Sequence, residues 1–131
     1  MNFSVQRIDH VVLRVRDLDG MIRFYEQALG CRVERRLDRL QLVQLRAGDS
    51  LLDLIHSDTP RQGRNMDHLC FRIEPFDLAT IQHALLPFGI SPGDVVQRYG
   101  AEGDGPSIYF NDPEGNQIEL KGPATSPPLR A

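Results

Sequence analysis

Residues 7–15 alternate apolar and polar positions and are rich in Val and Ile, which predicts a half-buried strand. The period then changes. Leu18, Met21, Ile22, Tyr25 and Leu29 fall on one helical stripe, with Asp17 placed to cap it and Gly30 to stop it. Alternation returns over 31–37, 40–46 and 50–56, the last two joined by a Gly48-Asp49 turn. Residues 57–65 are polar with Pro and Gly and read as a linker. The same order then recurs. A strand over 66–74 precedes a helix over 77–88 with Leu78, Ile81, Leu85 and Phe88 on one stripe, ended by Gly89. Strands near 94–98, 106–111 and 116–121 follow. The stretch from Gly122 holds three Pro and no period, and is expected to be a flexible tail over 122–131.

The recurrence extends to residue identity. At an offset of 58, IDHVVLRVRDLD matches MDHLCFRIEPFD, with Asp9/Asp67, His10/His68, Arg14/Arg72 and Asp19/Asp77 identical and apolar residues facing apolar ones between them. Leu52-Asp53-Leu54 matches Ile118-Glu119-Leu120 in pattern, each after a Gly-containing turn. The repeat predicts an α+β fold of two tandem βαβββ modules, 5–57 and 66–121, within a single domain over 1–121.

Strand parity sorts these side chains onto faces. Val11, Leu13 and Val15 share a face suited to packing on a helix, and Ile8, His10, Val12 and Arg14 share the other. Leu69, Phe71 and Ile73 oppose Met66, His68, Cys70 and Arg72 in the same way. Asp53 and Glu119 each face away from their flanking leucines and isoleucine. Each module thus offers one imidazole and one carboxylate from the face opposite its helix. Two His and two carboxylates suit a divalent first-row ion, Zn, Ni, Mn, Fe or Co, held by His10, His68, Glu119 and Asp53. Asp53 is one methylene shorter than Glu and is expected to bind weakly or through a water. Arg14 and Arg72, on the histidine faces, are candidates for an anionic substrate group. Cys70 reads as a small buried packing residue, and His56 and His83, without repeat partners, as surface residues. The Gly-rich YGAEGDGPSIYF has no Lys and no following helix, so it is not a phosphate cradle. It is expected to be a mobile loop leading into a strand that offers Tyr109 or Phe110 as a pocket wall.

Composition narrows the function. The chain of 131 residues has a net charge of −3, which argues against a dedicated nucleic-acid binder. No apolar run is long enough for a membrane helix, and the first residues carry no signal pattern, so the expectation is a cytoplasmic protein. Cys31 and Cys70 are isolated and suggest neither a disulfide framework nor a zinc knuckle. The Walker, nucleophile-elbow and HExxH signatures are missing.

IDHVVLRV with its following helix ending in Leu-Gly, MDHLCFRI, and above all SIYFNDPEGNQIELK resemble the vicinal oxygen chelate superfamily, the glyoxalase/bleomycin-resistance/dioxygenase group. The resemblance covers about residues 5–121. It implies βαβββ modules whose mixed sheet curls around a metal-centred cavity, with His10, His68 and Glu119 at the ligand positions. Asp53 stands where glyoxalase I-like members have Glu, a departure from that pattern. Members of this size are usually homodimers, often with sites shared across the interface. The implied function is a glyoxalase-type isomerase or lyase acting on a small substrate that chelates the ion through adjacent oxygens, with Glu119 as catalytic base. Alternatives are an extradiol-type dioxygenase, which is usually longer, and a non-catalytic antibiotic-binding resistance protein, which lacks the ligands. Thiol transfer to an epoxide uses the same three ligands, although no clear potassium-binding loop is present.

Overall fold

The first alternating stretch pairs as a strand from His10 onward: β1 spans His10–Val15, with Leu13 and Val15 buried and His10, Val12 and Arg14 exposed. Helix α1, Leu18–Gln27, starts where the Asp17 carboxylate accepts a hydrogen bond from the Gly20 amide at 3.0 Å. It buries Met21, Ile22, Phe24 and Tyr25 and ends as expected at Gly30. There a φ of +73° lets the Cys31 amide turn back onto the Tyr25 carbonyl at 3.0 Å. Strands β2 (Arg32–Leu37), β3 (Leu42–Ala47) and β4 (Ser50–His56) follow, with a bulge in β2 between Val33 and Arg35 and a single 3-10 turn, Asp38–Leu40, before β3.

The computed structural model describes residues 6–58, 63 and 65–127. It divides into two compact units, Met1–Arg61 and Gln62–Ala131, each one βαβββ module. The second contains β5 (Leu69–Arg72), α2 (Leu78–Leu85), β6 (Val96–Gly100), β7 (Gly103–Asn111) and β8 (Gln117–Lys121). The expected helix over 77–88 is α only to Leu85. Pro87 has no amide to give, so the last turn, Leu86–Phe88, tightens to 3-10 before Gly89 closes it at φ +69°.

Both sheets have four strands in the same order: β1-β4-β3-β2 in the first unit and β5-β8-β7-β6 in the second. In each, the first strand runs parallel to the last and every other pairing is antiparallel. Alternate positions make each core. In the first unit Leu13, Val15, Val43, Leu45, Leu52 and Leu54 join the apolar stripe of α1; in the second Ile108, Phe110, Ile118 and Leu120 are buried, as are Ile81 and Leu85 of α2. Each such side chain contributes about 1.5–3 kcal/mol when fully removed from water.

The linker residues 59–62 and 64, and 128–131 of the expected tail, lie outside the described residues. The start of that tail is hydrogen-bonded: the Gly122 amide donates to the Pro106 carbonyl at 2.9 Å and the Thr125 amide to the Asp104 carbonyl at 2.6 Å.

Two predictions follow from local chemistry. A Cβ on Gly20 would sit 2.2 Å from Asp17 Oδ2, in the space of the capping carboxylate. Gly20→Ala alone should therefore yield less than the ~1 kcal/mol such a change gives in an open helix. With Asp17→Ala, which itself costs ~1 kcal/mol, the full gain should appear. Urea unfolding of the two single variants and the double variant checks this. Burial, with Glu26 nearby, pushes the Cys31 thiol from the ordinary 9.0 up to about 11. The folded chain thus holds this proton more tightly than the unfolded one, so stability is full below about pH 9 and declines as the pH rises to about 11. Thermal unfolding across that window should show the decline, and Cys31→Ala should remove its share.

Candidate functional site

In the first unit the parallel pairing sets Val12 beside Asp53, so His10 on β1 and Asp53 on β4 share the sheet face away from α1. The Asp53 carboxylate is only 4 % exposed. Its Oδ2 accepts from Gln44 Nε2 at 3.3 Å, and the Gln44 Oε1 in turn accepts from Arg35 Nε at 3.0 Å. Its Oδ1 is buried and has no hydrogen-bond partner among the described residues. A bare buried carboxylate oxygen is costly, so a cation or polar ligand there would be stabilising. The His10 ring meets Asp9 Oδ2 through Nδ1 at 2.8 Å, and Asp9 with the charge of Asp53 behind it holds the imidazole above its ordinary pKa.

The second unit repeats the device. His68 Nδ1 lies 2.7 Å from Asp67 Oδ1, and His68 Nε2 lies 3.4 Å from Glu119 Oε1. Glu119, 5 % exposed, accepts through Oε2 from Ser107 Oγ at 2.7 Å. An ionised carboxylate can only accept, so in both modules the preceding Asp draws an imidazole proton to Nδ1, and in the second module Nε2 faces Glu119 Oε1. Tyr109, on β7 opposite Glu119, stands edge-on to His68 with ring centroids 6.0 Å apart, and the Arg98 guanidinium lies 5.8 Å from its centroid. Partial burial, with Glu119 adding, raises the Tyr109 pKa.

The structure thus brings His68 to Glu119. Among the described residues no three His, Cys, Asp or Glu side chains gather into a group able to hold an ion. Arg72 is engaged: its Nε and Nη2 donate to Glu102 at 2.7 and 3.4 Å, and Nη1 to the Ile73 carbonyl at 2.8 Å. Arg14 is exposed on the His10 face. His83 is exposed on α2, and His56 pairs with Asp58 at 2.9 Å. Cys70 is exposed rather than buried, because β5 is an edge strand and this side chain points away from the core; its thiol, half-covered and beside Glu119, is pushed up to about 11.

The Gly-rich segment differs from the expected loop: β6 and β7 run through it as a hairpin that turns at Ala101-Glu102. Its glycines make room for a residue not singled out above. Lys121 is 7 % exposed, and its Nζ donates to the Arg98 carbonyl and, at 3.2 Å, to the Gly105 carbonyl. A Cβ on Gly100 would come 2.7 Å from Lys121 Cε, and one on Gly105 2.8 Å from the Pro123 carbonyl oxygen and 3.4 Å from Nζ. The signal was available in the sequence, since Lys121 is the only lysine in a chain with 14 arginines.

The Asp-Pro-Glu-Gly-Asn turn delivers Glu119. Buried Asp112 accepts through Oδ1 from the Glu114 and Asn116 amides and through Oδ2 from Asn116 Nδ2, all at 2.9 Å, while Gly115 takes φ +83°. Asp112→Ala leaves buried donors unmet and should cost about 2–3 kcal/mol in urea unfolding.

The family model described as the Glyoxalase/Bleomycin resistance protein/Dioxygenase superfamily matches residues 7–120. The chain is 36% identical over 124 residues to Virulence protein STM3117 of Salmonella typhimurium, covering 88% of this chain and 83% of that protein. Superposed on the crystal structure of STM3117 it gives a TM-score of 0.74 over 93% of this chain and 100% of the other, at 31% identity. It is 30% identical over 121 residues to Metallothiol transferase FosB of Bacillus licheniformis, covering 91% and 77%. An integron cassette protein from the mobile metagenome of V. cholerae gives a TM-score of 0.75 at 26% identity, covering 93% and 98%.

Proposed function

This chain belongs to the Glyoxalase/Bleomycin resistance protein/Dioxygenase superfamily, and from that premise we propose that it is a metal-dependent enzyme acting on a small substrate that presents two adjacent oxygens. The single observation behind the reading is the twin arrangement of His10 with Asp9 and His68 with Asp67, each imidazole anchored through Nδ1 so that Nε2 is left for another partner, which His68 turns toward Glu119. A carboxylate holding the far nitrogen of a histidine is the usual support of a metal-ligating imidazole. The donor set fits a divalent first-row ion: His68 and Glu119 lie together, and the bare Asp53 Oδ1 awaits a positive or polar neighbour. His10 completes the shell in this reading, and in a homodimer it would come from a second copy of the chain.

When bound, the ion supplies Lewis acidity toward the substrate oxygens. The residues supply the rest. Asp9 and Asp67 keep both imidazoles in one tautomer and orientation. Ser107 fixes one Glu119 oxygen, leaving Oε1 to hold or move a proton at the substrate. Tyr109 walls the side of His68.

A proton moved from carbon at Glu119 makes the reaction a glyoxalase-type isomerisation or lysis. Thiol transfer is the second reading, favoured by two observations. FosB, named a metallothiol transferase, aligns over most of the chain. Asp53 is drawn toward Gln44, which suits a shell of His10, His68 and Glu119 without it.

The test begins with metal content and calorimetric titration of Zn, Ni, Mn, Fe and Co. His68→Ala, Glu119→Gln and His10→Ala should each weaken binding by more than the roughly 10–100-fold that losing a supporting carboxylate such as Asp67 costs, while unfolding remains cooperative. Refolding His10→Ala and His68→Ala chains together should restore about a quarter of the sites if two copies share them. Stoichiometric metal on the His10→Ala/His68→Ala double variant would refute the reading. A metal-loaded protein that isomerises a hemithioacetal supports the first reaction, and one that consumes a thiol with an epoxide supports the second.

A further inference from the structure

Lysine is the residue type least often buried without a partner charge, and this chain buries its only one. Lys121 lies on the same sheet face as Glu119, two residues along β8, and beside Ser107, its register partner on β7. Its stem crosses the sheet toward β6 over Gly105 and Gly100, where any Cβ would intrude. An ammonium has three N–H donors. Two are taken, by the Arg98 and Gly105 carbonyls, and neither acceptor is charged. The contrast with Arg72, its register neighbour on β5, is informative: that guanidinium is neutralised by Glu102. The Arg98 side chain adds a second cation on this face, above the Tyr109 ring. Among the described residues the face therefore has a nearly buried ammonium with two of its three donors engaged, on the same side of β8 as the carboxylate that the proposed reaction uses and anchored toward β6.

We infer that Lys121 is a substrate-binding residue: its remaining N–H and its charge receive an anionic oxygen group, a carboxylate or a phosphoryl group, of the molecule that lies against Glu119. The inference rests on the reading of the Glu119 face as the active site, and it names the class of substrate that site accepts. The two carbonyls hold the ammonium in place before the anion arrives, so little side-chain freedom is lost on binding. The glycines of β6 and β7 are then specificity elements, because they set how far across the sheet the ammonium reaches. Arg14 and Arg72 are not needed for this role.

The single lysine makes the experiment direct. Protein labelled with 13C-lysine and kept in EDTA is titrated with inorganic phosphate and, separately, with acetate. The one lysine Cε resonance should shift saturably with at least one of them, together with the amides of Ser107, Tyr109 and Gly105. Phosphate alone acting identifies a phosphoryl group, and acetate alone a carboxylate. Lys121→Met, read by the same amides, should bind about tenfold more weakly or worse. A lysine resonance that neither anion moves overturns the inference, as does a folded Lys121→Met that binds phosphate or acetate as the native chain does. The lysine signal is read in the native protein, so the outcome stands even if the variant does not fold. Because EDTA is present, a lysine shift alongside failure of metal binding sinks only the metal reading, and the converse result sinks only this inference.

Discussion

Each module depends on one pairing, that of its first strand parallel to its last. Parallel neighbours cannot be joined by a tight turn, so the chain must leave through a helix and two further strands before it returns. That detour lays α1 on one sheet face in the first unit and leaves the polar side chains to the other. The same pairing fixes which residues meet. Leu13 lies beside Leu54 on the helix side, and Val12 beside Asp53 on the opposite side. In the second module Phe71 lies beside Leu120, and Cys70 beside Glu119. A slip of one residue would drive the carboxylates into the apolar layer, where they have no partners, and turn Leu52, Leu54, Ile118 and Leu120 toward solvent. Core burial and the placement of the polar face are therefore one constraint, met by a single alternation.

This is why so much was legible in the residue order. Alternation sorts side chains onto faces, so the faces of β1, β4, β5 and β8 were readable from parity; that Asp53, Glu119 and Lys121 are buried on theirs was not. Asp17 and Gly30 announced the ends of α1 because capping is local chemistry. What escaped depends on partners far along the chain. Gly100, Gly103 and Gly105 look like a loop, yet they sit in paired strands, and a lysine 21 residues from Gly100 and 16 from Gly105 lies across those two. Arg72 reads as a charge available to an anion, whereas its partner Glu102 is 30 residues away. Gln44 and Ser107, which orient the two carboxylates, are polar residues of unremarkable context until the strand register places Gln44 directly opposite Asp53 and Ser107 one step diagonal to Glu119. Cys70 has the composition of a core residue and escapes burial only because β5 ends the sheet.

The two carboxylates show how a symmetric frame supports unequal chemistry. Asp53 and Glu119 occupy equivalent positions on the final strand of each module. The additional methylene of Glu119 carries one oxygen to the His68 ring while Ser107 holds the other. Asp53 reaches only the neighbouring strand, where Gln44 holds one oxygen, and among the described residues the second has no hydrogen-bond partner. The flanking residues widen the difference. Two residues after the carboxylate stands Ile55 in the first module and Lys121 in the second. In the first module Ile8 and Val12 are exposed on the face of the histidine, beside Arg14. The corresponding face of the second combines carboxylate, imidazole, phenol and ammonium. Duplicated topology supplies two equal positions; side-chain length and the next residue on the same face determine that the second module holds the greater part of the chemistry.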